Sequence, residues 1–188
     1  MTILNYKQDK ILRDVLYISL NKYSDKRGYL YELYNSKNYH FLKNKFVQQN
    51  FTYSKKNVLR GMHFQSYKPR GYLITVIQGK IFDVFVDMRS NSKTYKRYSS
   101  IRLNSNSNIQ IFIPPGFAHG FLTLSEYSIV SYNFTNNFYN KYCKGFIWND
   151  EDIKISWPTK RPILNMRDSL YPQFKNIYKN DFPKGFSK

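Results

Sequence analysis

The chain has 188 residues, 19% of them aromatic, which is enough to build the core of a single domain spanning residues 1–188. No stretch approaches the ~18 consecutive apolar residues that a membrane span requires, and the first residues lack the pattern of a secretory signal. Cys143 is the only cysteine, which excludes an internal disulfide. We therefore expect a cytoplasmic protein that is not attached to a membrane.

The formal net charge of +18, from 30 Lys and Arg against 12 Asp and Glu, raises the question of a nucleic-acid partner. The basic residues are spread evenly along the chain, without a block of like charges. Helix-turn-helix, zinc-finger and RNP-type patterns are also missing from the sequence. The sequence therefore predicts no nucleic-acid partner, and a basic surface that can attract a small anion such as a nucleoside diphosphate.

Short strands dominate the pattern from the N-terminus onward. Turn signals at Gln78-Gly79 and at Pro114-Pro115-Gly116 separate them. Strands are predicted over residues 45–53, 72–77, 80–88, 109–113, 120–124 and 128–132. Strands of this length with turns about every ten residues are typical of an all-β sandwich or barrel.

The remaining segments are predicted to be loop or short helix. Residues 91–107 are polar and hold Asn, Ser and Thr, which indicates that this segment contains a loop. Helix is expected only in the C-terminal third, around residues 169–178.

Two of the three histidines lie in glycine-flanked segments at predicted strand ends. His63 follows Arg60 and Gly61, and His119 follows the turn at Gly116. His40 has no such setting. A lone histidine is more often structural, but two in such segments favour a functional site.

A metal site is not expected. The spacing from Pro114 through Gly116 to His119 resembles the second cupin motif, which often carries a metal ligand. The first cupin motif needs a His-x-His pair and a nearby Glu, whereas this chain has His63-Phe64-Gln65. Two imidazoles fall short of the three protein ligands of a catalytic zinc or iron site.

General acid–base catalysis is the chemistry that remains, because the chain also lacks a Gly-x-Gly-x-x-Gly loop and a serine nucleophile elbow. A neutral histidine can take a proton near pH 7 when a carboxylate orients its other nitrogen. A tyrosine can return a proton from another side. The pattern alone does not identify which of the 18 tyrosines would face His63.

Seven segments taken together resemble the dTDP-4-dehydrorhamnose 3,5-epimerase family, in order and in spacing. They cover nearly the whole chain. The segments are DKRGYLYE (residues 25–32), FVQQN (46–50), VLRGMHFQ (58–65), FDVFVDMR (82–89), IPPGFAHGF (113–121), GFIWND (145–150) and ISWP (155–158).

The resemblance implies a homodimeric double-stranded β-helix, a jelly-roll barrel of the cupin type with a few short C-terminal helices and no cofactor. It implies inversion at C3, C5 or both in an NDP-4-keto-6-deoxy hexose or heptose, for surface polysaccharide such as capsule. The resemblance implies that His63 is the base, that the carboxylate of Asp168 holds His63 in position, and that Tyr132 is the acid on the opposite face of the sugar. The resemblance also places Arg60 and His119 against the diphosphate or sugar, Gln48 and Asn50 on the nucleotide side, and Arg27 and Glu32 in the partner's site.

Three positions depart from the family pattern near the substrate. Tyr72 stands where the family has a lysine, Phe138 where it has a tyrosine, and Cys143 where it has a glutamate. Because the proposed catalytic residues are kept, this combination favours the same proton chemistry on an altered substrate. Candidates are a different nucleotide, a heptose, or inversion at C3 only.

Two other functions remain open. A nucleotide-sugar 3,4-ketoisomerase would use a similar barrel and enolate but would move the carbonyl. A catalytically silent barrel would bind nucleotide sugars without exchanging protons. The order of motifs along the chain favours the epimerase, and the presence of His63, Tyr132 and Asp168 argues against a silent protein.

Overall fold

The computed structural model describes residues 4–177 and 182–183, in which antiparallel strands predominate. The helical segments are one α-helical turn, α1 (Met166–Ser169), and three 3₁₀ turns, His40–Leu42, Asn140–Tyr142 and Phe174–Asn176. The strands are β1 (Tyr6–Gln8), β2 (Leu16–Ser19), β3 (Lys22–Asp25), β4 (Gly28–Tyr31), β5 (Gln48–Lys55), β6 (Leu59–Gln65), β7 (Tyr72–Gln78), β8 (Lys80–Asp87), β9 (Tyr98–Asn104), β10 (Ile109–Ile113), β11 (Phe117–Thr123), β12 (Tyr127–Phe134) and β13 (Cys143–Gly145).

The described strands form two large sheets and a separate hairpin. One sheet has the order β1-β2-β10-β7-β12-β5, and the other has the order β13-β6-β11-β8-β9. Strands β3 and β4 pair only with each other. Sequence neighbours are often not spatial neighbours, as in a jelly roll, where the chain crosses between the sheets. The predicted all-β jelly-roll barrel with short C-terminal helices is confirmed.

The inner faces of the two sheets meet in one apolar core. Because side chains alternate between faces along a strand, β7 contributes Tyr72, Ile74 and Val76 to it. The opposite sheet contributes Phe85 and Phe121, among others. Most of the residues that line the candidate site described below lie on inward-pointing strand positions, and the others come from α1 with its N-cap and from the loop before β7.

The outer face of the five-stranded sheet is also covered, by the C-terminal part of the chain. Phe82, Val84 and Val86 of β8 pack there against residues such as Phe146 and Phe174. Strand β8 is therefore buried on both faces, which explains its nearly continuous apolar sequence.

One sequence prediction is incomplete and another needs correction. Residues 91–107 contain the predicted loop in their first half, whereas β9, which was not predicted, occupies the second half and pairs along the length of β8. The helix expected around residues 169–178 is mostly absent from the described part, which ends in this region at residue 177. Helix α1 ends at Ser169, and Pro172 disfavours helical backbone at the residue before it. No helix among the described residues is long and apolar enough to cross a membrane.

Candidate active site

Two glycines bring β6 and β11 close enough together to place both motif histidines in one site. Gly61 has a φ of 137°, and a Cβ built on it would lie 2.6 Å from the Cα of Gly120. Such a contact is not tolerated, so both the backbone angle and the close approach require glycine. His63 and His119 are directly paired across these strands, and their side chains line the same pocket.

His63 forms a pair with a buried carboxylate. Its Nε2 lies 2.7 Å from Asp168 Oδ1, and the backbone N–H of Gly61 donates to Asp168 Oδ2 at 3.1 Å. The side chain of Asp168 is 1% exposed, whereas that of His63 is 32% exposed. Because an ionised carboxylate only accepts hydrogen bonds, Nε2 carries the proton and Nδ1 keeps a free lone pair. The pair therefore presents a basic nitrogen on a side chain that a ligand can reach.

Asp168 is held in place by the helical turn that carries it. Asn165 is the N-cap of α1, and its Oδ1 accepts from the backbone N–H of Asp168 at 2.7 Å. This cap satisfies a backbone donor that the short helix would otherwise leave free. The cap thus orients the carboxylate toward His63.

His119 forms a second pair of the same kind, deeper in the barrel. Its Nε2 lies 2.7 Å from Oδ1 of Asp83, a buried residue on the neighbouring strand β8. The side chain of His119 is 7% exposed, so a ligand has much less access to it than to His63. This arrangement suits His119 to hold a substrate group in place.

Tyr132 faces the pocket from the opposite sheet. Its strand, β12, belongs to the six-stranded sheet, whereas His63 lies on the five-stranded one. Burial raises the pKa of Tyr132, and the negative charge of Asp83 adds to the shift. The hydroxyl therefore stays protonated at neutral pH and can donate a proton from the side opposite His63.

Tyr72, on β7, lies beside the deeper histidine. Its ring centroid is 5.3 Å from that of His119. Burial raises the pKa of Tyr72 as well, while the positive charge of Arg70 partly opposes the shift. At neutral pH Tyr72 is therefore a neutral hydrogen-bond donor, in the position where the family resemblance led us to expect a lysine.

Two arginines line the pocket, and they differ in their contacts. Arg60 is already engaged, since its Nε donates to Ser54 Oγ at 2.9 Å and its Nη2 donates to the carbonyl of Tyr53 at 3.2 Å. Arg70 is buried, and its guanidinium lies 4.3 Å over the ring of Phe134. Both cations are suited to negatively charged ligand groups.

The pocket has a volume of about 200 Å³. The structure brings together seven of the residues predicted for the site: Asn50, Arg60, His63, Tyr72, His119, Tyr132 and Asp168. In the part of the chain that the structure describes, no group of three His, Cys, Asp or Glu residues could share a metal ion.

Four predicted residues do not line this pocket. Gln48 lies next to it, where its Nε2 donates to Asn50 at 3.1 Å and its Oε1 accepts from the backbone N–H of Phe138 at 2.9 Å. The ring of Phe138 is partly exposed. Arg27 lies in the turn of the β3–β4 hairpin and bonds to Asp25, and Glu32 accepts hydrogen bonds from two nearby asparagines.

Five further residues line the pocket that were not among the predicted site residues: Thr52, Arg70, Phe121, Phe134 and Asn165. Strand alternation could have identified three of them. Thr52, Phe121 and Phe134 each lie two residues from a predicted site residue and therefore share its face. Asn165 could have been found as an N-cap three residues before Asp168.

Buried polar atoms without a protein partner concentrate around this pocket. Among the described residues these atoms are Thr52 Oγ1, Arg70 Nε, Asp83 Oδ2 and the hydroxyl of Tyr171. Thr52 and Arg70 line the pocket, Asp83 holds His119, and the ring of Tyr171 lies 5.7 Å from that of His63. Such atoms are rare in folded proteins, and their location indicates a site built to bind a polar ligand.

The fold and the site together define a class of protein. An accessible histidine that is paired with a buried aspartate and faces a protonated tyrosine across the interior of a jelly-roll barrel is a general acid–base site on a cupin-type fold. Residues 9–176 match the sequence model of the family described as dTDP-4-dehydrorhamnose 3,5-epimerase. The chain belongs to this family.

Individual relatives agree with this assignment. A dTDP-4-dehydrorhamnose 3,5-epimerase of Methanothermobacter thermautotrophicus is 46% identical over 79% of this chain and 78% of its own. One from Salmonella typhimurium is 42% identical over 85% of this chain and 90% of its own. The structure of a dTDP-6-deoxy-D-glucose-3,5-epimerase of Legionella pneumophila in complex with dTDP-4-keto-L-rhamnose superimposes with a TM-score of 0.93. It is 31% identical and covers 98% of this chain and 100% of its own.

Proposed function

We propose that the protein is a cofactor-independent epimerase that inverts C3, C5 or both in an NDP-4-keto-6-deoxy sugar, a hexose or a heptose. The observation that carries this proposal is that His63 on one sheet, held by Asp168 of α1, lies opposite the protonated Tyr132 on the other sheet. The two faces of a sugar ring held between the sheets would meet a base and an acid. Inversion needs this arrangement, because the proton must leave from one face and return to the other.

In the first step His63 Nδ1 takes the proton from the carbon next to the ketone. The electron pair of the broken C–H bond forms the enolate double bond, and the carbonyl π pair moves onto the ketone oxygen. Asp168 stabilises the resulting imidazolium through its hydrogen bond to Nε2. A carboxylate that is buried beside the histidine favours this transient positive charge.

In the second step the hydroxyl of Tyr132 donates its proton to the same carbon from the opposite face, and the ketone re-forms. The carbon is then inverted and no atom of the substrate is lost. Proton exchange with solvent returns His63 to its neutral form and Tyr132 to its phenol. The raised pKa of Tyr132 ensures that it begins each cycle protonated.

The pocket fits the sugar and leaves the nucleotide outside. At about 200 Å³ it is smaller than the ~300–1,000 Å³ of a pocket for a complete drug-sized ligand. Asn50 lines the pocket and Gln48 binds to Asn50, so this end of β5 is the side where a nucleotide would lie. The net charge of +18 would attract the diphosphate from a distance.

We further propose a homodimer in which each subunit completes the partner's site. Large apolar side chains of the β3–β4 hairpin and of β5 are exposed: Tyr23, Tyr29, Leu30, Phe51 and Tyr53. Exposed apolar residues of this size favour an interface. Arg27 and Glu32 lie on the hairpin and just beyond it, so a partner that covers this surface would bring them near its own pocket.

Mixing two inactive variants tests the shared site. In a mixture of Arg27→Ala and His63→Ala dimers, exchange of subunits makes heterodimers with one doubly altered site and one intact site. Activity should recover to about one quarter of wild type, because half of the dimers then carry one intact site out of two. No recovery, in a mixture proven to exchange subunits, would place Arg27 in its own subunit's site, and an Arg27→Ala variant that is active by itself would place Arg27 outside any site.

The cellular setting is also a proposal. We infer that one domain spans residues 1–188 and acts in the cytoplasm, where its product would feed synthesis of a surface polysaccharide such as capsule. A nucleoside-diphosphate substrate and the presence of a single cysteine support this location.

Proton NMR in D₂O tests the reaction directly, with thymidine and guanosine 4-keto-6-deoxy sugars in hexose and heptose forms. Loss of the signals at C3 and C5 would establish a double epimerase, and loss at C3 alone a single one. A migrated ketone would instead identify a 3,4-ketoisomerase. A protein that binds nucleotide but exchanges no proton with any of these substrates would be a binding protein, and the proposal would fail.

A further inference from the structure

Arg70 lines the pocket from the segment that leads into β7. It lies two residues before the start of β7, and it is only 9% exposed. Its guanidinium carbon lies 4.3 Å from the ring centroid of Phe134, 5.1 Å from that of Phe138 and 5.9 Å from that of Tyr72. Three aromatic rings thus hold a positive charge at the wall of the pocket.

No carboxylate in the described residues forms an ion pair with Arg70, and its Nε has no hydrogen-bond partner there. Arg89 shows how the same fold treats another largely buried arginine. Its guanidinium binds Asp87 at 2.8 Å and Asp14 at 2.7 Å. A buried cation is costly unless it is paired, so the unpaired state of Arg70 indicates a place for an anionic group that comes with the ligand.

The contacts of Arg70 place this anion at the reacting end of the sugar. Phe134 stacks on Tyr132 with 5.8 Å between ring centroids, and Tyr72 lies against His119. A single aromatic ring, that of Phe134, therefore lies between Arg70 and the proposed acid Tyr132. The ring of Tyr72 likewise lies between Arg70 and His119. Phe138, whose ring is 44% exposed, lies over the guanidinium on the outer side.

We infer, on the basis of the proposed function, that Arg70 is a catalytic residue that contacts the ketone oxygen and stabilises the negative charge of the enolate. When His63 takes the proton, the C–H electron pair forms the C=C bond and the carbonyl π pair moves onto the oxygen. That oxygen is then negative, next to a guanidinium that lines the pocket and has no carboxylate partner among the described residues. Arg70 itself gains and loses no proton, and the charge is neutralised again when the carbon is reprotonated.

The hydroxyl of Tyr72 belongs to the same unit. The positive charge of Arg70 lowers the pKa of Tyr72 against the stronger effect of burial. Arg70 therefore strengthens Tyr72 as a hydrogen-bond donor to the same oxygen. The lysine that the family pattern has at position 72 is replaced here by a neutral donor with a cation two residues earlier.

Arg70→Gln tests the inference, with Arg102→Gln as the matched control. Arg102 also lies over an aromatic ring, that of Phe82 at 5.6 Å, but on an exposed part of β9 outside the pocket. For Arg70→Gln we expect kcat and the rate of C–H exchange in D₂O to fall by about 10²–10³. The KM and the Kd for dTDP should stay within about threefold of wild type, because a group that acts in the transition state changes mainly kcat. Arg102→Gln should leave all four values unchanged.

Moving the positive charge from position 70 to position 72 gives a second test, because a recovery of kcat would not be expected if Arg70 had only a structural role. The double variant Arg70→Gln/Tyr72→Lys moves the cation two residues along the chain and should recover at least about tenfold in kcat over Arg70→Gln. Arg70→Lys keeps a charge and should also be more active than Arg70→Gln. Thermal unfolding measured on each variant shows whether it is folded at the assay temperature.

The possible failures can be told apart. If Arg70→Gln keeps kcat within about threefold of wild type, the inference is wrong although the epimerase stands. If the loss appears in the Kd for dTDP instead of kcat, Arg70 binds the diphosphate and the inference is again wrong. If both Arg70→Gln and Arg70→Lys are unfolded, Arg70 is a structural cation. A wild-type protein that exchanges no proton would refute the proposed function itself.

Discussion

Replacing Asp168 with asparagine removes one negative charge from the site while keeping the size of the side chain. In the wild type Asp168 accepts from His63 Nε2 at 2.7 Å and from the backbone N–H of Gly61 at 3.1 Å. An asparagine has one oxygen and one NH₂ group to offer these two partners. If the oxygen faced His63, the NH₂ group would meet the N–H of Gly61, donor against donor.

The favoured orientation therefore turns the NH₂ group toward His63. Nε2 must then accept, the imidazole proton moves to Nδ1, and the lone pair that takes the substrate proton is lost. We expect kcat to fall by about 10³–10⁴, equivalent to about 4–5.5 kcal/mol of transition-state free energy. The fold loses a single charge-assisted hydrogen bond, or about 1–2 kcal/mol, which lowers the Tm by about 2–8 °C.

The assay combines C–H exchange in D₂O with thermal unfolding and dTDP binding. Asp150→Asn is the control, because Asp150 is 2% exposed and accepts backbone N–H bonds from Ile153 and Phe174 away from the pocket. This variant should lose stability and keep kcat. If Asp168→Asn retained more than about a tenth of wild-type kcat while folded, the tautomer argument would be refuted.

His63→Ala should lower kcat by at least about 10³ and leave the calorimetric Kd for dTDP within about threefold, since the base does not hold the nucleotide. Tyr132→Phe should lower net inversion by about 10² while NMR in D₂O still shows C–H exchange at a higher rate than inversion, because the base remains. Asp87→Asn should cost about 3 kcal/mol in urea unfolding at pH 7. Burial raises the pKa of Asp87, but hydrogen bonds from Arg89, Ser92 and Thr94 outweigh it, so the pKa is lowered. The stabilisation by Asp87 is therefore fully present above the ordinary aspartate pKa of about 3.9 and is lost as the pH falls through the lower pKa of the folded state. The free energy of unfolding of Asp87→Asn should accordingly fall less steeply with decreasing pH than that of the wild type.

One strand of the barrel could be predicted because both of its faces are buried. The predicted strand at residues 80–88 corresponds to β8 (Lys80–Asp87), which reads as an apolar run because it packs on two cores. Strand β9 was missed because its buried positions include a polar residue. Ser99 can be buried because its hydroxyl donates to Asp9 Oδ2 at 2.7 Å, a partner 90 residues earlier in the chain. A local pattern cannot contain such a contact.

The two histidines could be selected from the sequence, but their partners could not be derived from local spacing. Asp168 lies 105 residues after His63, and the pairing was expected only from the family resemblance. The partner of His119 was not predicted. Asp83 interrupts the apolar run of β8 on its inward face, and a carboxylate there had no local explanation until β11 placed a histidine beside it. Charged residues inside an apolar strand are therefore a signal that could have been used.

The departure from the family pattern at Tyr72 and the buried Arg70 without a carboxylate partner concern the same wall of the pocket. Replacing a lysine by Tyr72 removes a charge from the wall of the pocket, yet Arg70 places a cation against the same ring. A core that served stability alone would have no reason to bury that cation without a carboxylate, because an apolar residue of similar length would pack there at lower cost. The cation therefore has to be explained by what enters the pocket, and a ketone oxygen that becomes negative during the reaction is the group the proposed chemistry provides.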